Sequence, residues 1–206
     1  TADTRTWCFE CQKTVMTVDS TADFPACVNC GSQTVTDFKH VVDFTASGSW
    51  PTVFLIDPHP RKPHMMLWAQ VDPSDDLWII DECKVEGDCV AVKTKAHAIE
   101  AMHGLDIVLR LVDPNMGRSP SAAGARRGIT WIDEFAEAGL PLTEADDSEV
   151  GRSRLNEFLK PDRALRRPRI HFHPRCKDTI YQVSRYVWDD FSTKLEKDQK
   201  QTPKAK

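Results

Sequence analysis

The stretch VFLIDPHPRKPHMMLWAQVDPSDDLWIIDE, residues 53–82, holds three apolar runs separated by turn-forming residues. Residues 52–57 (TVFLID) are apolar without interruption up to a terminal acid. That is the pattern of a strand buried on both faces. Residues 64–71 (HMMLWAQV) read as a second strand and residues 77–82 (LWIIDE) as a third. Between them DPSDD, at 72–76, is a turn of the kind that joins antiparallel strands.

Downstream, residues 91–103 (AVKTKAHAIEAMH) predict a helix stopped by Gly104. Residues 105–113 (LDIVLRLVD) form a fourth apolar run, again closed by an acid. A loop rich in Gly, Ser, Pro and Arg covers 114–128. A helix follows over 130–139 with Thr130 as N-cap, then a short strand near 141–145. The remainder reads as a helix over 148–159, a strand over 169–173 and a helix across 175–188. Three meandering strands, a helix, a fourth strand and further αβ units predict an α/β fold with a mixed sheet flanked by helices. This is the element order of the RNase H-like fold, in which the fourth strand lies beside the first. Asp57 and Asp113 would then meet in space despite their separation in sequence.

Upstream, WCFEC (7–11) and CVNCGSQ (27–33) carry two CxxC pairs with fifteen residues between Cys11 and Cys27. Four thiolates suit tetrahedral Zn²⁺, and each CxxC lets two sulfurs reach one ion across a tight turn. Two disulfides are the competing reading. A zinc site of Cys8, Cys11, Cys27 and Cys30 would be closed and structural, stapling a small zinc-ribbon-like unit with little core of its own. The expected domains are therefore a four-cysteine zinc-binding module over 1–44, a linker over 45–51 (TASGSWP) and the α/β domain over 52–206.

The chain has 206 residues and a formal net charge of −4. A tight non-specific DNA binder usually carries a basic surplus, so this balance argues for transient nucleic-acid contact. The charge is unevenly spread. Residues 131–150 hold seven acids and no Lys or Arg, whereas 152–185 hold ten Lys or Arg against three acids. No apolar run is long enough to span a membrane, and no signal-peptide pattern is present. An opening Thr and an abrupt polar end (196–206) read as a piece of a longer protein, with its C-terminal end truncated. The scattered Cys83, Cys89 and Cys176 fit a reducing cytosol rather than a disulfide framework.

Carboxylates at strand ends are firmly placed and open to solvent on one side. Phosphodiester hydrolysis needs charge stabilised on the attacking and leaving oxygens, which two divalent cations roughly 4 Å apart achieve. Asp and Glu suit Mg²⁺ and Mn²⁺. Each of these acids precedes a Pro, so a plain turn is the competing reading. His59 and His64 flank the first acid as candidate ligands. Arg61 and Lys62, with Arg118, Arg126 and Arg127 in the later loop, are candidate phosphate contacts.

Several segments together, in order, resemble the nuclease domain of phage terminase large subunits. They are the opening stretch, LVDPNMGRSPS (111–121), GITWIDEFAEAGL (128–140), ADDSEVGRSRLNEFLKP (145–161) and PRIHFHPRCKDTIYQVSRYVWDDF (168–191). The resemblance implies an RNase H-like, Mg²⁺- or Mn²⁺-dependent endonuclease that cuts concatemeric viral DNA. It implies double-stranded DNA, the packaging ATPase domain, the small subunit and the portal as partners, in the host cytoplasm, with no membrane. Asp57 and Asp113 fall at the family's first- and fourth-strand acids. The family's third acid lies on a helix after the Lys-rich stretch, where this sequence reaches Lys206; Asp178, Asp189 and Asp190 are weaker in-chain substitutes. No GxxxxGK[ST] run is present, so the motor's ATP site is not in this sequence. A non-catalytic scaffold, or another RNase H-like enzyme such as a resolvase or transposase, are the alternatives.

Overall fold

The computed structural model describes residues 5–16, 26–32, 35–37, 39–121 and 128–185. The N-terminal unit is a three-stranded antiparallel sheet of β1 (Arg5–Cys8), β2 (Lys13–Met16) and β3 (Val35–Asp37), in the order β2-β1-β3. The larger unit has β4 (Pro51–Asp57), β5 (His64–Val71), β6 (Leu77–Val85), α1 (Cys89–His103) and β7 (Asp106–Val112). After these come α2 (Pro114–Gly117), α3 (Trp131–Glu137), β8 (Thr143–Glu144), α4 (Glu149–Leu159), β9 (Ile170–Phe172) and α5 (Lys177–Arg185).

Six strands form one mixed sheet in the order β8-β7-β4-β5-β6-β9. β4, β5 and β6 meander antiparallel, while β7 pairs with β4 in parallel. The sequence expectation for β4 through β7 is met. Its physical basis is short polar turns, which force neighbours antiparallel, followed by a helical crossover, which permits a parallel return.

Alternation along β4 sorts its side chains. Thr52, Phe54 and Ile56 are buried on one face. There Phe54, Met66, Trp68 and Ile80 pack with Val92, Ala96 and Ile99 of α1 and with Trp131 and Phe135 of α3. Leu55 belongs to the opposite face, where Ala69, Ile79 and Phe172 meet Phe158 of α4 and Ile180 and Val183 of α5. The sheet is thus covered on both sides. That is why its central strands are apolar without a break.

Local signals set the helix ends. Asp88 caps α1 by accepting from the Ala91 amide at 2.9 Å, and the helix starts two residues before the sequence-based position. Gly104, at φ +62°, ends it in the left-handed conformation that favours glycine. Thr130 and Asp133 close a capping box on α3. The loop expected over 114–128 opens instead with the single turn of α2, capped by Asp113.

Residues 39–47, between the two units, are packed. Main chain from this segment lies along β9: the Phe172 amide donates to His40 O at 2.8 Å, and the Val42 amide donates to Phe172 O at 3.0 Å. Phe44 meets Trp78 edge-on at 4.9 Å, and Gln70, fully buried, bonds both the amide and the carbonyl of Ser47. No helix among the described residues is long and apolar enough to cross a membrane.

Candidate functional site

β4 and β7 run parallel, and their last paired residues are Ile56 and Val112. Asp57 and Asp113 are the next residue on each strand, so the register brings the two acids to adjacent strand ends. The Asp113 amide donates to the Ile56 carbonyl at 3.4 Å, carrying the pairing one residue further. A cleft of about 330 Å³ opens here, lined by Asp57, Asp113, Leu55, Leu67, Ala145 and Thr179, among others.

The two carboxylates differ in their surroundings. One Asp113 oxygen accepts from the Met116 amide at 2.8 Å, so this acid also caps α2. Asp57 has no hydrogen-bond or ion-pair partner among the described residues. Asp57 is exposed at its strand end, but partial desolvation by the surrounding chain raises its pKa above the ordinary carboxylate range. The Asp113 charge adds to that rise, and His59 and His64 work against it. An acid raised by desolvation and a like-charged neighbour gains from a bound cation. The donor chemistry at this end of the sheet therefore fits Mg²⁺ or Mn²⁺.

A third acid does not join the pair among the described residues, whose one group of three or more metal-capable side chains is the cysteine cluster. Asp178 holds Lys84 at 2.8 Å instead. Asp189 and Asp190 lie outside the described residues. Glu82, which pairs with Leu67 of β5 and so lies across β5 from Leu55, is spent on the start of α5. It accepts from the Asp178 amide at 2.6 Å, and from the Thr179 amide and hydroxyl at 2.8 and 2.6 Å.

The histidines serve the loop rather than the acids. His64 is buried; its Nδ1 accepts from the His59 amide at 3.2 Å, and its Nε2 lies 3.2 Å from Gly87 O. Both ring nitrogens are engaged, and burial lowers its pKa. His59 Nδ1 accepts from the amides of Arg61 and Lys62, each at 3.0 Å. The side chains of Arg61 and Lys62 are exposed and carry no ion pair among the described residues. Arg118 is committed to Glu144, through Nε at 2.7 Å and through Nη2. Arg126 and Arg127 lie outside the described residues.

In the N-terminal unit Cys8, Cys11, Cys27 and Cys30 bring their sulfurs within 4.8 Å of one another. Cys8 and Cys30 are 3.7 Å apart, and Cys11 and Cys27 3.8 Å. A tetrahedron with Zn–S bonds of about 2.3 Å has edges of about 3.8 Å, and a disulfide is about 2.05 Å long. The sulfurs therefore fit a shared zinc ion and not two disulfides. Amides of Cys11 and Asn29 donate to the Cys8 and Cys27 sulfurs, each at 3.4 Å. The Cys27 thiol is lowered to about 6: burial opposes its thiolate, but amide donors from Asn29 and Cys30 and the neighbouring sulfurs outweigh it.

No known family profile matches the chain, and no curated protein matches it. Solved structures do. The large terminase of a thermophilic bacteriophage superposes at a TM-score of 0.51 with 16% identity, over 73% of this chain and 35% of that one. A second crystal form of that protein gives a TM-score of 0.51 at 17% identity. The nuclease domain of the P22 large terminase gives a TM-score of 0.50 at 13% identity, over 70% of this chain and 73% of that one. The chain spans about a third of the length of the thermophilic phage's protein. It has the fold of a large-terminase nuclease domain.

Proposed function

We propose that this chain is the metal-dependent DNA endonuclease domain of a viral DNA-packaging terminase, cutting concatemeric DNA with Asp57 and Asp113 as catalytic metal ligands. The observation that carries the reading is the convergence of these two strand-end acids in one open cleft of a fold shared with terminase nuclease domains. Bound Mg²⁺ or Mn²⁺ would neutralise charge at the attacking and leaving oxygens of the phosphodiester. The chain's own work is to hold two oxygen donors rigidly at the cleft floor. The Asp113 side chain is fixed by the Met116 amide, and Asp57, with no partner among the described residues, is open to receive a cation. Arg61 and Lys62, beside the first acid, and Arg126 and Arg127 are the proposed contacts to the duplex. The four-cysteine unit holds one structural Zn²⁺. The packaging ATPase domain, the small subunit and the portal are the proposed protein partners, in the host cytoplasm.

The test is nicking of supercoiled plasmid by the full chain with Mn²⁺. Asp57→Asn and Asp113→Asn should each cut the rate at least about a hundredfold, the scale of losing one charge-stabilising group. Unchanged nicking in both variants would remove the metal-site assignment. A second reading, a non-catalytic scaffold, is favoured by one observation: the acid pair meets no third carboxylate among the described residues. Wild-type protein that binds DNA but never nicks it with either metal would favour the scaffold.

A further inference from the structure

A second pocket of about 440 Å³ lies on the loop that leaves Asp57. It is lined by His59, Arg61, Lys62, His64, Glu86 and Trp131, among others. Its donors outnumber its acceptors. Trp131 forms part of the wall; it is 3% exposed, and its indole Nε1–H, itself shut off from solvent, meets no acceptor among the described residues. His59 accepts two amides at Nδ1, so its ring proton sits on Nε2, which has no partner among the described residues. Arg61 and Lys62 add two cationic side chains without ion pairs among the described residues. His64 fixes the loop by bonding His59 and Gly87, and its ring stands edge-on to Trp131 at 5.2 Å. Glu86 is the one acid at the rim among the described residues.

We infer that this pocket is a phosphate subsite, taking one phosphate group on His59 Nε2–H and the side chains of Arg61 and Lys62, with Trp131 in its wall. Two cations without ion pairs, beside a ring N–H whose tautomer is fixed by the loop, call for an anion rich in oxygen acceptors. Two sources share that chemistry, a DNA backbone phosphate and free orthophosphate. The backbone assignment rests on the nuclease reading above; a strand held here would be anchored two residues along the chain from Asp57.

The experiment follows the Trp131 indole N–H resonance of the full chain by NMR, identified by its loss in Trp131→Phe. Orthophosphate and a short DNA duplex are titrated separately without divalent cations, against chloride at matched ionic strength. The resonance should move with the duplex. His59→Ala should weaken duplex binding by roughly three- to tenfold, as for one charge-assisted hydrogen bond. Glu86→Gln should tighten it, and Arg61→Ala with Lys62→Ala should flatten the salt dependence by about two counterions. Movement with orthophosphate alone would overturn the backbone assignment. No movement with either ligand, with affinity unchanged in the Arg61/Lys62 double variant, would overturn the subsite. Because no cation is present, the outcome is independent of cleavage: duplex bound through this pocket by a protein whose nicking survives Asp57→Asn would sink only the catalytic reading.

Discussion

The carboxylate of Glu82 accepts both the amide and the hydroxyl of Thr179, at 2.8 and 2.6 Å. An acid from the middle of β6 thereby caps a helix 97 residues later, and Thr179 lines the cleft that holds Asp57 and Asp113. Glu82→Ala leaves these donors without their acceptor. It should cost about 1–3 kcal/mol, the penalty for stranded polar groups. Hydrogen exchange should show the amides of Asp178 and Thr179 opening first.

Asp113 has two tasks, and two variants separate them. Asn caps a helix about as well as Asp, so Asp113→Asn should keep stability while losing nicking. Asp113→Ala should lose nicking as well, with a further cost of about 1 kcal/mol from the missing cap on α2. Denaturant melts beside nicking rates check both.

Asp57 makes stability depend on pH with a definite sign. Its folded pKa is raised, by partial desolvation first and by Asp113 second. The folded state therefore holds its proton more tightly than the unfolded chain. Stability must fall as pH rises from the ordinary carboxylate value through the raised one. Asp57→Asn removes that penalty, which solvent screening at an exposed position keeps small. It should raise Tm at pH 7 by roughly 1–2 °C, what a few tenths of a kcal/mol give a chain of this length. The gain should vanish below the ordinary carboxylate range, where Asp57 is protonated in both states. Mn²⁺ should raise the Tm of the parent protein and leave that of Asp57→Asn less affected.

The cysteine unit should bind about one zinc per chain, as a single site of four thiolates requires. Cys27→Ser should lose the metal and the protection of β1 to β3, while amides of β4 to β6 stay protected. Zinc-free protein with no titratable thiols would contradict the assignment.

Asp76 is fully buried and pairs with Arg167 and with Arg169, the latter at 3.1 Å. The side chains of Arg167 and Arg169 are 42% and 26% exposed, hence Asp76→Ala strands no buried charge; it loses charge-assisted hydrogen bonds and should cost about 1.5–3 kcal/mol in a denaturant melt.

The sheet was legible because its signals are local. Apolar runs, the DPSDD turn and the helix stopped by Gly104 fix strand direction, and direction fixes which strand ends meet. Asp57 and Asp113 could be paired for that reason. Asp76 could not be read this way, since in sequence it is one more acid of a polar turn; only Arg167 and Arg169, far along the chain, make its burial tolerable. The same holds for Glu82, whose partners lie on α5, and for Arg118, which resembles a phosphate contact until Glu144 meets it. The indole of Trp131 gave no signal either. An apolar helix position followed by Phe135 one turn later reads as core, which it is, and its unmet N–H shows only when the surrounding chain is in place.

The seam between residues 40–42 and Phe172 has a kinetic consequence. Strand β9 is held on one side by β6 and on the other by main chain from before the first strand of the large sheet. His40 Nδ1 and Ile170 O, 2.9 Å apart in this seam, are separated by 130 residues of chain. Loops of that length close late in folding, because their entropy must be lost before the contacts repay it. During synthesis, residues 40–42 must wait with their hydrogen-bonding groups open until β9 has emerged. Until these residues dock, the edge they will cover is open to pairing with the wrong strand.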